Sequence, residues 1–340
     1  HWVAEQYLPD AMQGKVFYHP SDQGYETPIR EEVARRREAQ VAAMVEESGE
    51  EPFGMAGRDA RGQWIHRTSG SSGDLLGRIR DQLFRMVTVG GDSLVLDLHA
   101  RTGLLTFHAA RMVSTGGVWA LAHSGESYVT LIKTAEAMPR LERPQILRAT
   151  REDFDQQIRE TAGKEVAFDA IVGRSVIGSR AGKRGLVERI VDLLRPRGVL
   201  ALAETVPSRG QRISALCDLS GLSKQIREAF LRAEENLFAD TDNPLINWSP
   251  ETLGSELREI DGVEVQVEAV DETVSKRIVS ADIDHWFRTG GEERSLGEEL
   301  AGTLTHKQLE KLRTAFQAQL ANRTLPWKTL VLYLRIQRSR

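Results

Sequence analysis

Four short stretches hold the residue types that can do chemistry. LVLDLHARTGLL carries Asp97, His99, Arg101, Thr102 and Gly103; ALAHSGE carries His123 and Glu126; ATREDF carries Glu152 and Asp153; VGRSVIGS carries Gly173 and Arg174. Imidazoles and carboxylates in such places move protons, and a guanidinium such as that of Arg101 holds an anion or a nucleic-acid phosphate. His108, Arg174 and His285 are further acid/base candidates, but none has a partner that can be read from sequence, so no catalytic residue is assigned. GSRAGKRG lacks the GxxxxGK[ST] spacing and the hydroxyl after its lysine, so it opens a helix rather than a phosphate loop. His99 and His108 have no third ligand nearby and make no metal site.

These stretches matter because of the elements that precede them. Short apolar runs at Ser93–Leu98, Val118–Ala122, Gln145–Arg148, Ala167–Val172 and Val199–Ala203 alternate with stretches of helical period near 103–113, 125–138, 152–162 and 182–194. SLVLDL, AIV and VLALA are apolar at successive positions, as strands covered by helices on both faces are, so the pattern predicts an α/β, doubly wound, mostly parallel sheet. Ligands of such a sheet bind beyond the carboxyl ends of the strands at the switch point, where the four stretches lie. Residues 210–238 read as two helices inserted above the sheet. Ser249 and Pro250 start a helix carrying Leu253, Leu257 and Ile260. GVEVQVEAV alternates as a half-exposed strand near a sheet edge, Thr305 and Gln308 form a capping-box pair before another helix, and KTLVLYLRIQR is a last strand.

Composition bounds the rest. The 340 residues are 40% hydrophobic and 28% charged, enough for one large domain or two ordinary ones. A net charge of -4 excludes a broad electrostatic footprint for duplex nucleic acid. No apolar run approaches the roughly 20 residues that cross a bilayer. Cys217 has no second cysteine to pair with, and the opening residues lack a secretory pattern, which together read as a cytoplasmic protein. Ser48–Gly62 has linker composition, and IREEVARRREAQVAAMVEE before it reads as a solvated helix. The expected division is 1–45, a linker at 46–62 and a main domain at 63–340.

LVLDLHARTGLL, GGVWALAHS, FDAIV and LLRPRGVLALAE, in that order, resemble the class I S-adenosylmethionine-dependent methyltransferases over residues 75–337. The resemblance implies a Rossmann-like, seven-stranded sheet with an antiparallel last strand and a helical insertion. It implies S-adenosylmethionine as cofactor, with Asp97, His99, Arg101, Thr102, Gly103, His123, Asp153 and Gly173 as the positions around it. The family's first motif is close to LDLGxGxG, and here His99 and Arg101 take the first two glycine positions. Glycine there adopts positive φ, which costs another residue about 1–2 kcal/mol. An acid after the second strand grips both ribose hydroxyls, and the matching position is Ala122 or His123; a charge-assisted hydrogen bond contributes about 1.5–3 kcal/mol. Subtracted from a micromolar site of about 8 kcal/mol, these losses predict affinity on the order of millimolar. Asp153 or Glu152 would accept from the adenine amino group, although acids at a helix N-terminus are favoured by its dipole whatever the function. Neither an Asn-Pro-Pro-aromatic signature nor a Pro-Cys nucleophile for base methylation is present.

HWVAEQYLPDAMQGKVFYHPSDQGYE, at the start, resembles the C-terminal end of the RarA/MgsA family of replication-associated AAA+ ATPases, through YLP, Gly14, Phe17, Tyr18, Pro20, Asp22, Gly24, Tyr25 and Glu26. The implication is the rear part of a fusion whose partners are an AAA+ ATPase module, DNA replication and recombination proteins and, through the oligomerisation domain, copies of itself. Two functions follow: a methyltransferase-like binding or structural module with weakened or lost cofactor binding, or an active methyltransferase with a small-molecule or protein acceptor.

Overall fold

A computed structural model describes residues 71–290 and 295–339, together with helical positions at 29, 32–36, 38, 39 and 42. The resemblance carried by residues 1–26 and the linker at 46–62 lie outside the described residues. The strands are β1 (Leu94–Asp97), β2 (Gly117–Ala122), β3 (Gln145–Arg148), β4 (Phe168–Arg174), β5 (Leu194–Thr205), β6 (Val263–Ile278) and β7 (Arg323–Arg338). They form one seven-stranded sheet in the order β3-β2-β1-β4-β5-β7-β6, with β1 to β5 parallel and β7 antiparallel to both of its neighbours. This is a Rossmann-like, doubly wound α/β sheet with an antiparallel last strand, as expected, and its order reverses between β1 and β4.

The successive apolar residues of the strands serve two layers. Leu96, Ile171, Leu200, Leu202, Leu332 and Leu334 face one core with α4 (Phe154–Ala162), α5 (Lys183–Val191) and α7 (Pro250–Arg258). Their neighbours Val95, Val172, Ala201, Ala203 and Val331 face the other with α1 (Ser71–Met86) and α2 (Leu104–Met112). Beside that second layer α3 (Gly125–Glu136) covers β2 and β3 through Leu131 and Ala135. The helical positions before residue 43 join this layer, with Ala39 and Ala42 buried and Glu38 paired with Arg111 at 2.6 Å. That corrects the solvated-helix expectation: the small alanines make the contact.

The insertion also departs from expectation. Residues 210–238 hold a single long helix, α6 (Lys224–Phe238), preceded by 3-10 turns at Pro207–Arg209 and Ile213–Ala215. The Ser223 side chain caps α6 by accepting from Ile226 N. With α8 (Ser280–Trp286), α9 (Leu296–Ala301) and α10 (His306–Leu320), α6 builds a separate core around Phe230, Trp286, Phe287 and Phe316. The Ser249 and Thr305 capping boxes are both present. β6 continues past the alternating stretch to Ile278, so residues 323–329 of β7 pair with β6 alone while 331–337 also pair with β5. A two-stranded ribbon therefore runs from the sheet into the second core.

Candidate functional site

The chain leaving β1 does not peel away at once. Leu98 N donates to Val172 O at 2.9 Å and Ala100 N to Leu121 O at 3.0 Å, so residues 98–100 stay wedged between β4 and β2. Asp97, 1% exposed, is consumed inside this turn: it accepts from His99 N at 3.1 Å and from Thr106 Oγ1 at 2.7 Å. Gly103 has φ +87, where an added Cβ would come within 2.1 Å of the Phe107 ring. It is the one member of the turn that requires glycine. Neither His99 nor Arg101 is among the residues of positive φ, so the expected strain is absent. Thr102 is half-buried, and among the described residues its hydroxyl has no hydrogen-bond partner.

Two imidazoles fill the ground at the ends of β1, β2 and β3. His123 lies with Nδ1 2.8 Å from Ala149 O and Nε2 2.9 Å from Leu98 O, linking the chain that leaves β3 to the chain that leaves β1. Burial holds its pKa below the ordinary value, against the upward pull of those two carbonyls. His99 lies 5.3 Å away, centroid to centroid. Its Nδ1 donates to Arg174 O at 3.0 Å, which leaves Nε2 to accept from the Arg151 guanidinium at 3.4 Å. Burial, followed by the nearby Arg151 charge, lowers its pKa to about 3, so it stays neutral at every physiological pH.

The remaining expected positions divide. Gly173 packs under the site: a Cβ there would meet Val176 Cγ2 at 2.6 Å. Asp153 is occupied locally, its Oδ1 accepting from Thr150 N at 2.7 Å and Thr150 Oγ1 at 2.8 Å. Glu126 is exposed in the first turn of α3. His108 is remote, stacked edge-on against Phe84 with its pKa lowered to about 4 by burial and then by Arg80. His285 belongs to α8, in the second core's helices.

Sequence reasoning missed the other half of the site. After β4, Ser175 takes φ +54, and the next three N–H groups turn onto one buried carboxylate. Glu204, 2% exposed at the end of β5, accepts from Val176 N at 2.7 Å, Ile177 N at 3.0 Å and Gly178 N at 2.9 Å. Successive main-chain N–H groups in such a turn form an anion-binding concavity, here holding the protein's own anion. A Cβ on Gly178 would lie 2.8 Å from Glu204 Oε2, so glycine permits the approach. Beside this turn lies a cavity of about 210 Å³ bordered by His99, Arg101, Arg151, Ser175, Ser179 and Glu204. The signal for Glu204 was available, as an acid closing a wholly apolar central strand; nothing in the sequence pointed to Arg151.

No family model and no curated protein matches the chain. Solved structures do resemble it. YcgJ of Bacillus subtilis shares 11% identity at a TM-score of 0.46, covering 77% of this chain and 99% of its own. A coclaurine N-methyltransferase bound to N-methylheliamine and SAH shares 13% at 0.45, covering 94% and 89%. The cyclopropane synthase MmaA2 of Mycobacterium tuberculosis shares 13% at 0.43, covering 88% and 94%. Likeness at this level carries no argument about chemistry; the strand order stands on its own. Among the described residues, no helix is long and apolar enough to cross a membrane.

Proposed function

We propose that this methyltransferase-like domain has given up S-adenosylmethionine and works as a binding module. One observation carries the reading: the His123 imidazole spans Leu98 O and Ala149 O on the ground where a ribose-gripping acid would reach its ligand. The residues present do not fit the cofactor. Asp97 spends its carboxylate inside the turn, Asp153 spends an oxygen on Thr150, and His123 offers no carboxylate for the ribose. The opening 26 residues supply the proposed setting, service to a replication-associated AAA+ ATPase.

The competing reading, an active methyltransferase acting on a small molecule or protein, draws on Gly103, which keeps the left-handed turn before α2. Calorimetric titration of the intact chain with S-adenosylmethionine decides between them. The binding-module reading expects no heat at millimolar ligand, and binding at micromolar strength overturns it. Replacing His99 and Arg101 by glycine should leave the titration flat, whereas adding His123→Asp to that pair should give the first measurable heat.

A further inference from the structure

The two edges of the β6–β7 ribbon are finished differently. Ser339 N donates to Gly262 O and Asn322 N to Ile278 O, each at 2.7 Å, so the even-numbered residues of β6 turn their main chain to β7 and the odd-numbered ones turn theirs away. On the β7 side of the ribbon, Pro326 has no N–H to offer and Lys328 N donates to Gln211 Oε1 at 3.2 Å. The β6 side has neither protection: its register against β7 runs from Val263 to Ile278 without a shift, and no proline interrupts it. Among the described residues, no strand pairs with that side. Asp271, Thr273 and Arg277, whose main chain faces outward, are exposed.

We propose that this edge pairs with the same edge of a second copy of the chain, antiparallel about a two-fold axis at Val274. Charge selects both the occupant and the register. DETVSKR runs from acid to base around Val274, so antiparallel self-pairing sets Asp271 opposite Arg277 and Glu272 opposite Lys276, each twice by symmetry. Moving the axis to Thr273 or Ser275 leaves every one of those charges opposite an uncharged residue, and moving it to Glu272 sets that carboxylate against its own copy. Asp271 and Arg277 turn their main chain outward, so they meet as hydrogen-bonded pairs that close the two ends of the ladder. Glu272 is already held by Arg78 at 2.6 Å and Lys276 lies over the Trp327 ring, while Ser275 and Lys276 have further contacts of their own. The register therefore rests on the Asp271 and Arg277 pairs, which draw on none of these groups.

Sedimentation equilibrium of the full chain, from low to high micromolar concentration, tests this. A dimer is expected, and a monomer throughout overturns the proposal. Thr273→Pro removes an N–H that faces away from β7, so the β6–β7 ladder stays whole while dimerisation should be lost. Asp271→Arg and Arg277→Asp each set like charges opposite one another and should raise the dissociation constant about tenfold or more. Mixed in equal amounts, the two charge variants should associate like the parent, because positions 271 and 277 then carry base on one chain and acid on the other. Thermal melts show which variants fold, and the mixing arm changes only exposed side chains, so it decides even where Thr273→Pro does not fold. Charge variants that associate like the parent, or a mixture no tighter than its parts, overturn the proposal, as does a larger assembly that none of these substitutions alters. None of these outcomes turns on S-adenosylmethionine, so the binding-module reading stands or falls separately.

Discussion

The two halves of the sheet's carboxyl edge solve the same problem in opposite ways. Over β1, β2 and β3, polar side chains are turned inward onto the main chain: Asp97 accepts from His99 N, His99 Nδ1 donates to Arg174 O, and the His123 ring lies between Ala149 O and Leu98 O, to one of which a neutral imidazole donates. Over β4 and β5, a carboxylate is satisfied by three N–H groups and a cavity with two arginines is left beside it. A neutral imidazole such as that of His99 brings no charge to desolvate, whereas guanidiniums stay charged and keep a polar space around them.

The strongest way to break this contrast is Glu204→Ala, which strips three buried N–H groups of their acceptor. Each unsatisfied group costs about 1–3 kcal/mol. A loss of about 3–5 kcal/mol in urea unfolding is expected; a loss under about 1 kcal/mol would mean that the turn does not depend on its internal anion. On the opposite half, Gly103→Ala meets both the positive φ and the Phe107 ring, and should cost about 2–4 kcal/mol. Gly125→Ala, with nothing within 4 Å of the added carbon, is its control and should stay within about 0.5 kcal/mol.

The smallest effect sharpens the comparison through pH. His99 and His123 have folded-state pKa values below the unfolded one, the former at about 3. The unfolded chain thus binds protons first, so their contribution to stability is fully present above the ordinary histidine pKa and is lost as pH falls below it. Each such histidine contributes a slope of up to about 1.4 kcal/mol per pH unit. Unfolding midpoints between pH 7 and pH 5 should fall for the parent and fall less steeply for His99→Gln; identical slopes would show that the imidazole is not buried neutral.

Much of the sheet was legible because its determinants are local. SLVLDL, FDAIV and VLALA declare two-sided burial within a few residues, and the acid, the glycine and the helix start of the first turn are neighbours in sequence. The missing acid after β2 was legible too, but not what replaced it, since His123 meets its partners 25 and 26 residues away and Glu204 reaches back 26 to 28. The reading of β6 stopped early because the alternation slips at Ala269, and in DETVSKRI the half-buried side sets Glu272 and Lys276 among Val274 and Ile278. The inserted helices were miscounted because the 3-10 turn at Ile213–Ala215 and the bend after it bury Ile213 and Cys217, which supply apolar spacing without a continuous helix.

The ribbon made by the outer ends of β6 and β7 gives the second core a strand link to the sheet through residues that pair only with each other beyond Leu330. Two-stranded ribbons twist more readily than the interior of a wide sheet. Flanked on one side only, residues 323–329 should exchange their amide hydrogens faster than residues 331–337, which β5 covers as well.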